Sequence, residues 1–287
     1  MEPIARRIVD VLGRSRSLDV LAKPLKKAAE RAIPHGFVKD LLSGTWLGHP
    51  LHPVLTDVPI GAWTSSWLLD VLGGEEAEPA ADTLLGLAVL SSLPTAAAGF
   101  ADWVDTWGET RRVGTAHILG NVSAVALFSA SFAARKAGLR RLGFALSTAG
   151  VAVASGSAYL GGHLTFGKGV GVDNTAFEET PARWTEVLTV DELSDGKLIR
   201  ADADGAKVLL FRDGDDVYAI ADTCSHRGCS LSEGEVKRGG VVCPCHGSTF
   251  RLEDGGIERG PATAPQRAYD TRIVEGRVEV KVREPRS

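Results

Sequence analysis

The sequence predicts two domains of different class in one chain: an N-terminal all-α bundle of four transmembrane helices, followed by a small all-β domain. Three observations carry this. Apolar residues crowd between about 50 and 170 instead of spreading through the 287 residues. Within that region three stretches, 83–101, 113–134 and 142–167, contain no Asp, Glu, Lys or Arg. Beyond about residue 182 the pattern changes to short runs rich in β-branched and aromatic residues, with Asp-Gly and Glu-Gly pairs between them as hairpin punctuation. The formal charge of −4 gives no sign of a nucleic-acid partner.

The first segment, residues 1–47, carries nine Lys/Arg against five acids. Ile4, Ile8, Val11 and Leu12, then Leu18, Leu21 and Leu25, recur at helical spacing. A basic amphipathic segment of this kind lies along an anionic membrane surface; a solvated surface helix is the plainer alternative. A cleavable signal is not expected, because a short apolar core and a small-residue cleavage site are missing. Arg6-Arg7 lacks the rest of a twin-arginine signal.

Residues 48–168 form the expected membrane domain. Each of the three charge-free stretches is 19 residues or longer, enough to cross about 30 Å of hydrocarbon. A weaker first span, about 54–72, is interrupted by Asp57 and Asp70, and its Pro53, Pro59, Trp63 and Trp67 suit a helix that starts at the interface. Ala, Gly and Ser are frequent, which allows helices to pack closely in lipid. The connections 73–82, 102–112 and 135–141 are short, so the bundle is antiparallel. An even number of spans returns the chain after 168 to the side of residues 1–50. The basic first segment, the acidic loop Glu75, Glu76 and Glu78, and Arg111 and Arg112 place that side in the cytoplasm; Arg135, Lys136, Arg140 and Arg141 count against it.

Residues 169–182 are a linker, and residues 183–287 the β domain. Strand-like runs begin at Trp184, Lys207, Asp216, Val241, Ala268 and Val278, and Asp213-Gly214-Asp215 and Glu275-Gly276 are expected turns.

All four cysteines fall in this last domain, at 224, 229, 243 and 245, with His226 and His246 among them. They make a Cys-x-His loop and a Cys-x-x-His loop, with sixteen residues between His226 and Cys243. Mixed thiolate and imidazole donors suit zinc or iron–sulfur, not calcium or magnesium. A zinc finger usually opens with paired cysteines and closes with paired histidines. A 2Fe–2S cluster with unlike ligands on its two irons needs one Cys and one His from each loop.

The stretch from Cys224 to Phe250 resembles the Rieske iron–sulfur proteins over roughly 100 residues. The resemblance implies that Cys224, His226, Cys243 and His246 ligate a 2Fe–2S cluster, and that Cys229 and Cys245 form the disulfide that joins the two loops in the cytochrome bc-type members. It also implies that Gly260-Pro261-Ala262 is the proline loop covering the cluster. Ser248 falls where high-potential members place a hydroxyl that bonds a bridging sulfide, and Phe250 where they place a tyrosine. With one of the two donors missing, an intermediate reduction potential is expected.

A second constellation follows from span parity. Starts of odd spans and ends of even spans share one membrane face, so His49, His52, Asp102, His117 and His163 are expected at one edge, the edge from which the β domain continues. Ionisable residues bordering spans are functional candidates; this set could ligate haem b or a non-haem metal, hold a quinone, or serve helix capping and interfacial hydrogen bonds. His49-Pro-Leu-His52-Pro followed by Asp57-Val-Pro-Ile-Gly, with Gly161-Gly162-His163-Leu164, resembles a bacterial family of four-span membrane proteins whose function is poorly defined. That resemblance implies a multi-pass protein of the bacterial cell (inner) membrane.

The function expected is a membrane-anchored Rieske electron-transfer protein. It would pass single electrons between a quinol or a soluble redox partner protein and a redox centre at the membrane edge, in contact with membrane lipid, with its Rieske domain cytoplasmic. Two alternatives are a membrane oxygenase or reductase with metal or haem at the histidine edge, and a redox sensor. Only about forty residues follow His246, so the large catalytic domain of ring-hydroxylating oxygenases is not expected.

Overall fold

The structure is a computed structural model that describes residues 4–283. Residues 1–3 of the expected first segment and 284–287 of the expected Rieske domain lie outside the described residues. The chain divides into two compact units, one of residues up to Pro34 with Leu51–Val170, the other of His35–Pro50 with residues from Gly171 onward. Seven α-helices are present among the described residues: α1 (Ile4–Arg14), α2 (Leu18–Ala32), α3 (Phe37–Ser43), α4 (Leu51–Leu72), α5 (Glu78–Trp103), α6 (Gly108–Lys136) and α7 (Arg140–Gly162). The short α3 groups with the β unit; the other six make the helical unit.

In the helical unit α1 lays Val9 and Gly13 against α6, and Gly13 has Glu109 and Val113 within 3.7 Å of where a Cβ would stand. Arg112 clamps this entry. Its Nε and Nη2 donate to the two carboxylate oxygens of Asp19 at 3.0 Å, and its Nη1 donates to the Gly13 carbonyl at 3.0 Å. That bidentate pair holds the Asp19 carboxyl below its ordinary range. The apolar stripe read from the sequence stays uncovered in part: Ile4, Ile8 and Val11 are 77%, 53% and 67% exposed.

Among the described residues, three helical stretches are long and apolar enough to cross a membrane: Glu75–Trp103, Gly108–Lys136 and Arg140–Gly167. The residues of the expected first span form the continuous 22-residue helix α4, which contains Asp57, Asp70 and several Ser and Thr and falls outside that group. The helices also run further than their apolar cores. α6 begins before Arg111 and ends after Arg135, residues expected in connections.

At the Arg135 end the reason is that the charge has partners inside the bundle. The Arg135 side chain is fully buried and donates to Asp70, to Asp82 at 3.3 Å, and to the Ser131 and Ser147 hydroxyls at 3.2 Å. Arg140 donates to Asp82 at 2.6 Å and to Asp70 at 2.5 Å. One charged residue from each of α4, α5, α6 and α7 therefore meets at one end of the bundle. Asp70, which weakened the first span as a sequence signal, is present because a buried arginine requires a partner.

Among the described residues the second unit holds ten strands: β1 (Thr185–Thr189), β2 (Leu198–Ala203), β3 (Ala206–Asp213), β4 (Asp216–Ala221), β5 (Glu235–Lys237), β6 (Gly240–Val242), β7 (Thr249–Arg251), β8 (Ile257–Arg259), β9 (Ala268–Val274) and β10 (Arg277–Val282). They form a six-stranded antiparallel sheet in the order β1-β10-β9-β4-β3-β2 and a four-stranded one in the order β5-β6-β7-β8. Along β3, Val208 and Leu210 enter one core with Val278, Val280 and Tyr269. Leu209 and Phe211 enter another with Ile220, Leu231, Val241 and Phe250. Both faces of this strand are covered, as its unbroken apolar run requires. The expected turn at Glu275-Gly276 has φ values of 49° and 77°, the pair of positive angles that a tight hairpin turn demands.

Residues expected in the N-terminal segment also reach the β unit. A Cβ on Gly260 would stand 2.1 Å from Thr45 Oγ1 and 2.9 Å from Asp40 Oδ1, so the turn after α3 lies directly on the Gly260-Pro261 loop. Burial pushes the Asp40 carboxyl up, and the Arg259 charge partly opposes this.

Candidate metal centre

Two loops of the same construction face each other in the β unit. The first follows β4 and turns at Gly228, with φ 71°; the second follows β6 and turns at Gly247, with φ 76°. In the first, the Gly228 N–H donates to the Cys224 carbonyl at 2.8 Å, and the Cys224 N–H to the Cys229 carbonyl at 2.8 Å. In the second, the Gly247 N–H donates to the Cys243 carbonyl at 3.0 Å, and the Cys243 N–H to the Ser248 carbonyl at 2.8 Å. Each loop thus holds its cysteine in a tight turn that only a glycine four residues later closes without strain. A disulfide between Cys229 and Cys245 joins the loops, with 6.5 Å between Cα atoms.

Cys224 and Cys243 are free and buried. The hydrogen bond between their thiols separates their acidities. It pushes Cys224 up, with burial adding to the effect, and brings Cys243 down to about 7. The His226 and His246 rings stand 5.1 Å apart between centroids at 89°, and the Nδ1 atoms of both are buried. Two imidazoles on one tetrahedral metal, each at about 2.1 Å, have centroids about 5 Å apart. Burial first, then the Arg227 charge, holds the His226 imidazole well below its usual range, in the neutral form that can ligate. Two buried thiols and two imidazoles at this separation fit the donor set of a 2Fe–2S cluster with unlike irons.

The supports around the loops were only partly legible. Ser248 is fully buried, and its Oγ accepts the Ala262 N–H at 3.0 Å, tying the second loop to the Gly260-Pro261 turn. Phe250 is fully buried on β7, opposite Val241. Pro261 and Ala262 are buried. Asp222, two residues before Cys224, accepts the Ser230 hydroxyl at 2.5 Å and the Ser232 N–H at 2.7 Å. Asn174 donates its side-chain amide to the carbonyls of Ser225 at 3.2 Å and His226 at 2.9 Å. Sequence reading assigned Asn174 to a linker, and nothing in its neighbourhood announces the role. An Asp ahead of a loop rich in serine was the available signal for Asp222.

The membrane-side set divides. His49 belongs to the other unit, and its Nδ1 lies 3.0 Å from the Pro50 carbonyl. His52 Nδ1 lies 2.9 Å from the Thr95 carbonyl, and His117 Nδ1 lies 2.7 Å from that of Ser157. The rings of His52 and His117 meet, with centroids 6.4 Å apart. His163 occupies a turn of π-helix after α7, its ring packed on Gly167. Asp102 lies in the last turn of α5. Among the described residues, none of these five belongs to a group of three or more donors close enough to share a metal ion; the one such group is Cys229, Cys243 and Cys245.

Comparison with known proteins matches residues 183–270 to the Rieske [2Fe-2S] domain and residues 48–174 to a predicted membrane protein family, DUF2231. The anthranilate 1,2-dioxygenase ferredoxin subunit of Burkholderia cepacia is 38% identical over 105 residues, which are 37% of this chain and 97% of that protein. Ferredoxin CarAc of Metapseudomonas resinovorans is 35% identical over 98 residues, 34% of this chain and 92% of its own. Among solved structures, the ferredoxin of carbazole 1,9a-dioxygenase from Nocardioides aromaticivorans IC177 is 34% identical, covering 34% of this chain and 96% of that one, with a TM-score of 0.33.

Proposed function

The chain belongs to the Rieske [2Fe-2S] family through its C-terminal domain, and from that premise we propose that it is a membrane-anchored, one-electron carrier. Cys224 and Cys243 hold one iron of the cluster, and His226 and His246 the other. When bound, the cluster supplies a single-electron couple. The observation that carries the reading is the pair of matched loops, locked by Cys229–Cys245, that set two buried thiols and two imidazoles together.

This chain's own residues do the rest. Asn174 and Asp222 fix the first loop. Ser248 and the Gly260-Pro261-Ala262 turn shield the second from water, and the low dielectric there makes each hydrogen bond to the cluster count for more. Ligated imidazoles of His226 and His246 that lose their outer N–H proton in the oxidised state would regain it as the site accepts an electron, which suits exchange with a quinol. A docked protein is the other partner class: the ferredoxin subunits this domain resembles are named as parts of dioxygenases. A reductase-type donor and an oxygenase-type acceptor are the partners proposed.

The helical unit anchors the domain as a four-span bundle in the bacterial inner membrane, with α4 as its first span. Residues 1–47, 48–168, 169–182 and 183–287 are its functional segments, the first including α3 at the proline loop. The exposed Ile4, Ile8 and Val11 lie on lipid. Arg135, Lys136 and Arg140, which opposed a cytoplasmic N-terminus, are engaged by Asp70, Asp82 and Glu78, which favours placing the Rieske domain in the cytoplasm.

Redox titration of carbonate-washed membranes tests this. The chain should stay in the pellet and follow a one-electron Nernst curve. Release by carbonate, or a two-electron curve, contradicts the proposal.

A further inference from the structure

The α4–α5 and α6–α7 hairpins repeat one arrangement. His52 on α4 directs Nδ1 to the carbonyl of Thr95 on α5, at 2.9 Å, and its ring fills the space over Gly99, four residues further along. His117 on α6 directs Nδ1 to the carbonyl of Ser157 on α7, at 2.7 Å, and its ring fills the space over Gly161, again four residues further. A Cβ on either glycine would come within 2.9 Å of its ring. The hydroxyls repeat as well. Thr95 Oγ1 donates to the Leu55 carbonyl at 3.0 Å, the group left open because Pro59 has no N–H. Ser157 Oγ donates to the His117 carbonyl at 2.9 Å.

Each ring is thus anchored through Nδ1–H to a backbone carbonyl, which leaves the lone pair on Nε2; a metal-ligating histidine is oriented in the same way. Asn121 Nδ2, 3.0 Å from His117 Nε2, agrees with a lone pair there and must give way to a ligand. The rings come from different hairpins, with centroids 6.4 Å apart and planes at 87°. Two imidazoles on opposite sides of one iron, each at about 2 Å, have centroids about 6 Å apart. A quinone bridged through both carbonyls would hold its donors much farther apart.

The donor count narrows the ligand class. Among the described residues no third donor joins the pair, whereas a protein zinc site takes three or four. A bare dication with two neutral ligands is also costly in a membrane. Haem brings four nitrogens and two negative charges of its own. We propose that His52 and His117 are the opposed axial ligands of a single haem held between the two hairpins, with His49, Asp102 and His163 outside the site. This extends the one-electron reading of the Rieske domain and can fail separately from it.

The test is a pyridine haemochrome assay with visible spectra on the full-length chain, expressed with a haem precursor and reconstituted with hemin. The cluster EPR signal in the same samples reports folding and the state of the Rieske reading. The wild type should bind about one haem per chain with a low-spin spectrum. His52→Ala and His117→Ala should each lose at least nine-tenths of it while keeping the cluster signal. His52→Met and His117→Met keep a ligand at each position and should retain haem with a shifted spectrum, which covers the case of alanine variants that do not fold. Three results overturn the proposal: no haem bound by folded wild type, wild-type binding in both alanine variants, or copper or zinc in place of porphyrin. Loss of haem in His163→Ala with retention in His52→Ala overturns the assignment as well.

Discussion

Ser248 Oγ accepts the Ala262 N–H at 3.0 Å while both residues are fully buried. The hydroxyl accepts from the proline loop and keeps its own hydrogen to donate, and the proposed recipient is the cluster. Ser248→Ala removes that donor and loosens the loop tie, and should lower the cluster potential by roughly 50 mV, the equivalent of about one hydrogen bond. Protein-film voltammetry reads this directly; an unchanged potential would show that the hydroxyl serves the loop alone.

Phe250 stands on the adjacent strand with no donor to offer. Phe250→Tyr should raise the potential by a similar step, roughly 50 mV. The wild-type value should lie below that of quinol-oxidising Rieske centres, and equality with them would refute the role given to this position.

The charge cluster of Arg135, Asp70, Asp82 and Arg140 ties four helices at one end of the bundle. Arg135→Ala leaves two buried carboxylates with a single remaining arginine, and should cost about 3–5 kcal/mol. Thermal unfolding in detergent, followed by circular dichroism, should show a large fall in midpoint. Arg135→Ala with Asp70→Asn should recover part of it. A midpoint within a degree of wild type would mean that the cluster is not structural.

Gly260 admits no Cβ, because Thr45 Oγ1 would lie 2.1 Å away. Gly260→Ala should therefore cost about 1–3 kcal/mol, the usual range for overpacking. Thr45→Ala in the same background should restore part of this, since it removes the clashing atom. Independent, additive effects in a double-mutant cycle would show that α3 does not rest on the proline loop.

Tyr269 is 2% exposed, and burial, assisted by the Glu178 charge, pushes its phenol up to about 12. A folded-state value above the ordinary one of about 10 means that stability from this group is complete below pH 10 and is lost as pH rises toward 12. The loss is roughly 2–3 kcal/mol. Denaturant titrations at pH 9 and 12 should show this loss in wild type and a smaller one in Tyr269→Phe.

The large features were legible because their signals are local. Charge-free runs marked α5, α6 and α7, and Cys and His spacing marked both loops. Illegible features depend on partners distant in sequence. Asp70 reads as a defect in a span until Arg135, 65 residues away, is seen beside it. Asn174 reads as linker until it meets His226. The three-residue strands β5 to β8 are too short for a two-residue alternation to stand out. Span parity grouped five residues at one edge, but only depth follows from parity; the angular position that brings His52 to His117 depends on which glycines admit their rings.

The ligand assignment is the central claim, and EPR with metal analysis tests it most directly. The full-length chain, purified anaerobically and reduced with dithionite, should carry a rhombic iron–sulfur signal and two non-haem irons and two acid-labile sulfides per chain. Cys224→Ser and His246→Ser should each abolish the signal. One zinc per chain, with no sulfide and no signal, would contradict the account.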